Sequence, residues 1–432
     1  MAVALTSKGH SVIGVDISDE IVEKIGKKQS PINEPGVQEL LSNAIEKNLF
    51  RATHDFREAV SQSDISFIAV NTPKLENHNM DLSQVVNASE MVARALKEKP
   101  SFHVVAISST VLPETAERII KPILEEHSGK TAGKEFGLCV NPVFIALTTV
   151  VRDFLAPPVL VIGESDPRSG DLLLQLYNSV LAPQPETVRT TLFMAELIKM
   201  AHNAYATMKV AFINEIADLC SRIPDADITA FEAFLKAGGE RSGRFLKSGL
   251  GFGGPCFPRD LNFFTDYMKK YLTESSLLES IEMANEKHAD HVVAILENEL
   301  QTLVGTRIAI LGLSYKPNSS ITEASFSLKL IERLLSKGVN LSVYDPQVHH
   351  LEDFEIEISK TVEDALRNSD ACILATPWDE FKTLGVPFFK KTMRRSVVLD
   401  PWGALDLKDN EKFDRYLRLG KGSAPLQAFL RK

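Results

Sequence analysis

A single cysteine stands in a glycine-rich segment near the middle of the chain, with an aspartate four residues after it. The segment reads Gly251-Phe-Gly-Gly-Pro-Cys256-Phe-Pro-Arg-Asp260. Glycine has no Cβ, so a ligand can approach the thiol closely. A nearby carboxylate can act as a base for a step at the sulfur. The residue types and their spacing therefore predict a nucleophile at Cys256, with Asp260 beside it.

Two other interpretations of this segment are open. A lone intracellular cysteine is usually a small buried apolar residue. The glycines also resemble a dinucleotide-binding loop, but that spacing alone is a weak signal, and residues 241–247 upstream are basic and turn-like where a strand would be required. We therefore favour the nucleophile.

The composition limits the class of protein. The 432 residues are 44% hydrophobic and 24% charged, which is typical of a globular chain with two or three domains. The net charge of -9 argues against general nucleic-acid binding. No stretch approaches the roughly 20 apolar residues of a membrane span. We expect a soluble protein that binds neither nucleic acid nor membrane.

The cysteines are few and far apart, so neither a disulfide framework nor a metal site is predicted, and a reducing cytoplasm is expected. They are Cys139, Cys220, Cys256 and Cys372.

Buried strands and amphipathic helices alternate in the first and last parts of the chain. The first part has strands at 11–16, 65–70 and 104–107 and helices at 20–28 and 82–98. The last part has strands at 307–312, 341–345, 372–375 and 396–400 and a helix at 327–338. Apolar residues at helical spacing over 190–223 predict a long helix between them. The fold class is therefore α/β, with two doubly wound Rossmann-like domains joined by a long central helix.

We expect three regions along the chain. Residues 1–185 form a nucleotide-binding domain, residues 186–295 a central helical region that carries the cysteine, and residues 296–432 a second Rossmann-like domain. A dinucleotide-binding domain opens with a strand and a G-x-G-x-x-G turn. Residues 1–9 already have the pattern of the helix that follows such a turn. We therefore expect that this strand and turn are missing and that the chain is incomplete.

Asp16 ends the strand after that first helix. An acid at this position can accept hydrogen bonds from the ribose hydroxyls of adenosine and would repel a 2′-phosphate, which favours NAD over NADP. The alternative is a strand-end acid that caps the next helix.

The cysteine segment resembles the signature Gly-x-Gly-Phe-Gly-Gly-x-Cys of the UDP-glucose/GDP-mannose dehydrogenase family, which matches residues 249–256. Further matching segments follow in the family's order along nearly the whole chain. They are residues 30–36, 69–73, 108–111, 141–144, 195–203 and 312–318.

The resemblance implies an NAD-dependent, four-electron oxidation of the C6 alcohol of a UDP-sugar to the uronic acid, for surface polysaccharide. The reaction would pass through a thiohemiacetal and a thioester on Cys256. UDP-glucose is the favoured substrate. The alternatives are a UDP-N-acetylhexosamine 6-dehydrogenase and a catalytically impaired relative that binds a sugar nucleotide. A homodimer formed through the long helix is also implied.

By the same resemblance, the catalytic residues are Cys256, Lys199, Asn203, Asp260 and Thr110. Lys199 and Asn203 are one turn apart, so they project to one side of their helix; the family uses such a pair to stabilise the developing oxyanion. Thr110 would position a water molecule. Cofactor-binding residues are Asp16, Thr72 and Thr110. Substrate-binding residues are Phe144, Lys199, Asn203, Arg241, Phe245, Leu246, Lys247, Gly253, Tyr315 and Lys316.

Each assignment has a simpler alternative when it is taken alone. Thr110 could be a helix N-cap, Lys199 a surface lysine and Asp260 a helix-capping acid. Their joint occurrence in the family's order favours the catalytic roles. Two positions depart from the family's pattern: Val143 replaces a glutamate that assists hydrolysis of the thioester, and Gly403 lies where relatives carry an arginine that touches substrate.

Overall fold

The computed structural model describes residues 1–75, 79–239, 245–272, 275–407 and 412–422. The chain divides into two compact units, Met1–His202 and Asn203–Lys432. The division into three regions stays a prediction.

The strands of the described residues are short and, with one exception given below, pair in parallel. They are β1 (Val12–Val15), β2 (Phe50–Thr53), β3 (Ile65–Ile68), β4 (His103–Ile107), β5 (Phe136–Val140), β6 (Val159–Glu164), β7 (Glu186–Thr190), β8 (Arg307–Leu311), β9 (Asn340–Tyr344), β10 (Ala371–Leu374), β11 (Val397–Leu399) and β12 (Arg415–Leu417).

The helices alternate with these strands in both units. They are α1 (Ala2–Thr6), α2 (Asp19–Gly26), α3 (Val37–Glu46), α4 (Phe56–Ser61), α5 (Ser83–Leu96), α6 (Lys121–Ser128), α7 (Val150–Leu155), α8 (Pro167–Val180), α9 (Leu192–Arg222), α10 (Ile228–Phe234), α11 (Phe257–Lys269), α12 (Ser276–Leu300), α13 (Phe326–Ser336), α14 (Val362–Leu366), α15 (Asp379–Lys382) and α16 (Val386–Thr392), with π-helical turns at Ala116–Ile120 and Leu235–Gly239.

The first unit contains a five-stranded sheet in the order β3-β4-β5-β6-β7 and a separate parallel pair, β1-β2. Alternate residues of β4 enter different cores: Val105 and Ile107 join one cluster, and Val104 and Ala106 join the other. A strand that is apolar on both sides is typical of a parallel sheet covered by helices on both faces. One pairing was not predicted, because β5 and β6 run antiparallel.

The second unit contains a fully parallel sheet in the order β12-β11-β10-β8-β9. Strand β8 repeats the arrangement of β4, since Ile308 and Ile310 join one core cluster and Ala309 and Leu311 the other. The sheet is therefore covered on both faces.

The turn after β8 requires glycine. Gly312 has φ +97°, and a Cβ on it would overlap Thr376. The side chain of Asp345, which follows β9, accepts hydrogen bonds from Leu313 N (2.8 Å) and Ser314 N (3.1 Å). These contacts fix the start of the segment that carries Tyr315 and Lys316.

Helix α9 has 31 residues. It begins in the first unit and ends in the second. Its buried residues are mostly small or aliphatic, such as Ala195, Ala204, Ile213 and Ala217.

The predicted fold class is confirmed: the two five-stranded sheets are of the doubly wound type, and one long helix runs from the first unit into the second. Most predicted elements lie within a few residues of the observed ones, including the helix predicted at 190–223. No helix among the described residues is long and apolar enough to cross a membrane.

Candidate active site

Cys256 is the residue immediately before α11, at the position that caps the N-terminus of the helix. Its side chain is exposed. A helix N-terminus carries partial positive charge, which favours the thiolate over the thiol. The other three cysteines differ: burial raises the pKa of Cys139, Cys372 and, with a contribution from Asp227, Cys220. The position of Cys256 is the one suited to a nucleophile.

The glycines before Cys256 have a role that the sequence did not reveal. A Cβ on Gly253 would overlap the carbonyl oxygen of Ala324, and Gly254 has φ +84° with the Tyr315 ring 2.5 Å from where its Cβ would lie. The glycines thus admit other parts of the protein rather than only a ligand. They also place the ring of Tyr315, a predicted substrate residue, against the cysteine segment.

Asp260 is 1% exposed and lies one turn into α11. Asn203 Nδ2 donates to its Oδ2 at 2.7 Å, and Arg259 Nε donates to its Oδ1 at 2.9 Å. The structure therefore brings together two of the predicted catalytic residues, Asn203 and Asp260. The carboxylate orients the Asn203 amide and is itself paired with a cation.

In the first unit, Lys199 lies with two residues of the segment after β5. Its Nζ donates to the carbonyl oxygen of Val143 at 2.8 Å and lies 5.2 Å from the centre of the Phe144 ring. The Phe144 ring also packs edge-on against His202, 4.7 Å away. Lys199 is half-buried and held by a backbone carbonyl, so it is not a simple surface lysine.

Thr72 and Thr110 follow β3 and β4 and contact each other. The hydroxyl of Thr72 donates to the carbonyl oxygen of Thr110 at 2.7 Å. Thr110 is not a helix N-cap. The next helical residues after it begin at Ala116, preceded by Thr115, and α6 follows them at Lys121. Asp16 follows β1, where its Oδ1 accepts from Ser18 N at 2.9 Å.

The remaining predicted substrate residues lie in the second unit. Phe245 has φ +67° and its ring is 5.3 Å from that of Phe257, Leu246 is half-buried, and Lys247 is exposed. Lys316 Nζ lies 5.5 Å from the centre of the Tyr315 ring. Arg241 lies outside the described residues.

Comparison with known proteins identifies the family. Three domain models of the UDP-glucose/GDP-mannose dehydrogenase family match: the NAD binding domain at residues 1–181, the central domain at 194–287 and the UDP binding domain at 309–407. A UDP-glucose 6-dehydrogenase of Haloferax volcanii is 33% identical and aligns over 93% of each chain. The chain belongs to the UDP-glucose/GDP-mannose dehydrogenase family.

Other relatives agree with this membership. A GDP-mannose 6-dehydrogenase of Pseudomonas putida is 32% identical over 88% of this chain and 89% of that protein. Among solved structures, a UDP-glucose dehydrogenase from Pyrobaculum islandicum superimposes with a TM-score of 0.85 at 28% identity, covering 96% of this chain and 93% of that one.

NAD is the cofactor that the family's first domain binds. Asp16, Thr72 and Thr110 all follow the carboxyl ends of parallel strands, where dinucleotides bind in doubly wound sheets. Ile17, beside Asp16, is 85% exposed and offers apolar surface that a base can cover.

The two departures from the family's pattern have different structural settings. Val143 is half-buried, and its carbonyl rather than its side chain holds Lys199. At Gly403, the guanidinium carbon of Arg418 lies 2.7 Å from where a Cβ would be. A cation is therefore present beside Gly403, supplied by a residue fifteen positions later in the chain.

Glu196 is a site residue that the sequence analysis missed. It is 1% exposed, and its two carboxylate oxygens accept hydrogen bonds from the backbone N–H groups of Glu114 (2.8 Å) and Ala116 (2.7 Å). Glu114 has φ +78°, an unfavourable backbone conformation for a residue with a side chain. Glu196 thus fixes the segment that begins at Thr110. The sequence did contain a signal for this residue: Glu196 is an acid among the apolar residues of a predicted helix, three residues before Lys199.

Glu196→Gln should change how stability depends on pH. Burial raises the pKa of Glu196 to about 8, although the two backbone N–H groups act in the opposite direction. An acid whose pKa is raised on folding stabilises the folded state at low pH, and this stabilisation is lost as the pH rises from the unfolded value towards 8. Since one pKa unit is about 1.4 kcal/mol, the wild type should lose roughly a few kcal/mol more than the glutamine variant between pH 5 and pH 8.

Urea unfolding at the two pH values measures this difference. Glu126→Gln is the control, because Glu126 is an exposed acid on α6 and is not among the groups that act on the pKa of Glu196. Equal pH dependence in the wild type and Glu196→Gln would contradict the prediction.

Proposed function

We propose that this protein is an NAD-dependent nucleotide-sugar 6-dehydrogenase that oxidises the C6 alcohol of a UDP-sugar to the uronic acid, with UDP-glucose as the favoured substrate. The observation that carries the proposal is the exposed thiol of Cys256 at the N-terminus of α11. One turn into α11, the buried carboxylate of Asp260 accepts a hydrogen bond from Asn203 of α9.

The chemistry assigned to Cys256 is attack on the C6 aldehyde, which forms a thiohemiacetal; its oxidation leaves a thioester, and water releases the acid. The exposed position of the Cys256 thiol at a helix N-terminus supports this role. Two molecules of NAD, bound one after the other, would each accept one hydride, the first from the C6 alcohol and the second from the thiohemiacetal.

Lys199 and Asn203 are the proposed donors to the oxyanion that forms at C6. Helix α9 carries both on successive turns, so a single rigid element sets their spacing. Val143 O holds the Lys199 amine and Asp260 holds the Asn203 amide. Donors fixed before the reaction stabilise developing charge without reorganisation.

A UDP-sugar is favoured as substrate because residues 309–407 match the family's UDP binding domain. We assign Tyr315 and Lys316, on the turn after β8, to the sugar nucleotide, together with Phe245, Leu246, Lys247 and Gly253. The alternative substrate is a UDP-N-acetylhexosamine. Assaying NADH formation with UDP-glucose, UDP-N-acetylhexosamines and GDP-mannose distinguishes these substrates.

Cys256→Ser should abolish formation of the uronic acid and leave the affinity for UDP-sugar within about a few fold, because a hydroxyl lacks the nucleophilicity of a thiolate at neutral pH. Mass spectrometry of the product and calorimetric titration with the UDP-sugar measure the two effects. Cys220→Ser is the matched control, since Cys220 lies in the same unit but outside the glycine-rich segment. Wild-type turnover in the Cys256→Ser protein would exclude the covalent route.

A catalytically impaired relative is the second candidate, and Val143 is the observation that favours it. Valine has no group that can accept a proton from the water that hydrolyses the thioester. On this view the protein completes both oxidations and then releases the acid slowly.

Val143→Glu should therefore accelerate the steady state by about 10²–10⁴, the usual contribution of a positioned general base, while leaving the initial burst of NADH unchanged. Rapid-mixing absorbance separates the burst from the steady state. Intact-mass measurement should find the sugar acylated on Cys256 in the parent protein. Linear turnover of the parent without an acyl-enzyme would show that another group activates the water.

We also propose that the protein is a homodimer formed through α9. Within the second unit, Tyr205, Phe212 and Leu219 are 48%, 48% and 54% exposed and recur every seven residues. That spacing aligns side chains along one stripe of a helix and is typical of helix pairing between chains. Exposed apolar stripes of this kind mark interaction surfaces.

Phe212→Lys should convert the dimer to a monomer, because it places a charge in the middle of the stripe. Light scattering coupled to size-exclusion chromatography over a range of protein concentrations measures the mass. Val304→Lys is the control, since Val304 is 75% exposed but lies outside α9. If both variants and the wild type have the same mass, α9 is not the interface.

A further inference from the structure

The backbone that leads to Cys256 is bonded by side chains instead of by a strand or helix. Asn214 accepts from Gly249 N at 3.0 Å and donates to Leu250 O at 3.2 Å. Asn285 accepts from Phe252 N at 3.0 Å and donates to Phe252 O at 3.0 Å. Each asparagine thus binds one N–H and one carbonyl, as a neighbouring strand would.

This segment has no room to shift. A Cβ on Gly251 would overlap both Asn285 Oδ1 and the Phe326 ring, and one on Gly249 would overlap the Trp402 ring. A small displacement of residues 249–252 therefore breaks contacts on both sides of the segment.

His288, one helical turn after Asn285 on α12, makes the remaining contact with the segment. It is 3% exposed. Its Nε2 lies 2.8 Å from Gly249 O, and its Nδ1 lies 3.0 Å from Asp218 Oδ2. A carbonyl oxygen can only accept, so Nε2 must carry a proton.

The carboxylate of Asp218 requires a proton on Nδ1 as well. Burial acts to raise the pKa of Asp218, but hydrogen bonds and charge from His288 and His291 outweigh it and lower the pKa. An ionised carboxylate has no proton to donate. Its Oδ2 also accepts from His291 Nδ1 at 2.7 Å, while its Oδ1 has no hydrogen-bond partner among the described residues. Both ring nitrogens of His288 therefore act as donors.

We propose that His288 is a positioning residue in its imidazolium form, which joins the carboxylate of Asp218 on α9 to the carbonyl of Gly249 and thereby holds the segment that presents Cys256. The contact does not depend on which substrate the site takes. Its importance for turnover rests on the proposed function of Cys256.

Among the described residues, the titratable groups bonded in this cluster are Asp218 of α9, which contacts His288, and His291 of α12, which contacts Asp218. Phe326 of α13 contributes a ring 5.6 Å away and no charge. A neutral His288 could donate to only one of its two acceptors. Loss of its second proton would therefore remove either the donor to Gly249 O or the donor from His288 to Asp218, which would then keep only His291 as a donor among the described residues.

Nitrogen chemical shifts of the histidine side chains test the protonation state in the wild-type chain. Both ring nitrogens of His288 should give imidazolium shifts at neutral pH. The assignment uses the loss of the His288 signals in His288→Gln or, should that variant fail to fold, in His288→Asn. A neutral imidazole at His288 overturns the proposal.

Two isosteric variants test the positioning role. Asparagine places its amide nitrogen near the position of Nδ1 of histidine, and glutamine places its amide nitrogen near Nε2. His288→Asn should therefore keep the donor to Asp218 and lose the donor to Gly249, whereas His288→Gln should do the reverse.

The rate of Cys256 alkylation by iodoacetamide is the readout, because it does not require dehydrogenase activity. His288→Asn should slow it by about tenfold, the size expected for the loss of one charge-assisted hydrogen bond, and His288→Gln should slow it much less. His291→Asn and His291→Gln are the controls, since His291 also bonds Asp218 but has no contact with Gly249 among the described residues. Equal rates in the two His288 variants overturn the proposal, whether or not the protein proves to be a dehydrogenase.

Discussion

A buried backbone segment must find partners for its N–H and carbonyl groups, and this constraint organises the site in the second unit. The residues before Cys256 lie in neither a strand nor a helix. Asn214, Asn285 and His288 supply the missing partners from two different helices. Because amide and imidazole groups have fixed directions, they define one position for the segment. Because Cys256 follows this segment directly, the position of the segment also determines the position of the Cys256 thiol at the start of α11.

In the first unit, different side chains bind the backbone groups of the segments after the strands. The segments after β3 and β4 are tied together by the hydroxyls of Ser109 and Thr72, which donate to Val70 O and Thr110 O. Glu196 then holds the N–H groups of Glu114 and Ala116. A carboxylate at this depth is costly, which its raised pKa reflects. This cost and the left-handed conformation of Glu114 both occur in the segment that begins at Thr110, the residue predicted to position water.

Much of the fold could be predicted because its signals are local. The runs 104–107 and 308–311 are apolar on both faces, as strands of a parallel sheet covered on both faces are. The long helix was predicted from apolar spacing over more than thirty residues. The antiparallel pairing of β5 with β6 was missed, because strand direction depends on the path of the connection and leaves no trace in the strand itself.

The candidate site shows where local signals end. The sequence alone determined the α/β class and the long helix and predicted Cys256 as the nucleophile, since periodicity and a glycine-rich signature are properties of neighbouring residues. It read the glycines as space for a ligand and Asp260 as a base beside the thiol. Only the tertiary structure placed Tyr315 against Gly254, paired Asp260 with Asn203, and set Arg418 beside Gly403. Those contacts join residues far apart in the chain, and burial together with hydrogen-bond geometry, which no local pattern encodes, decides their partners.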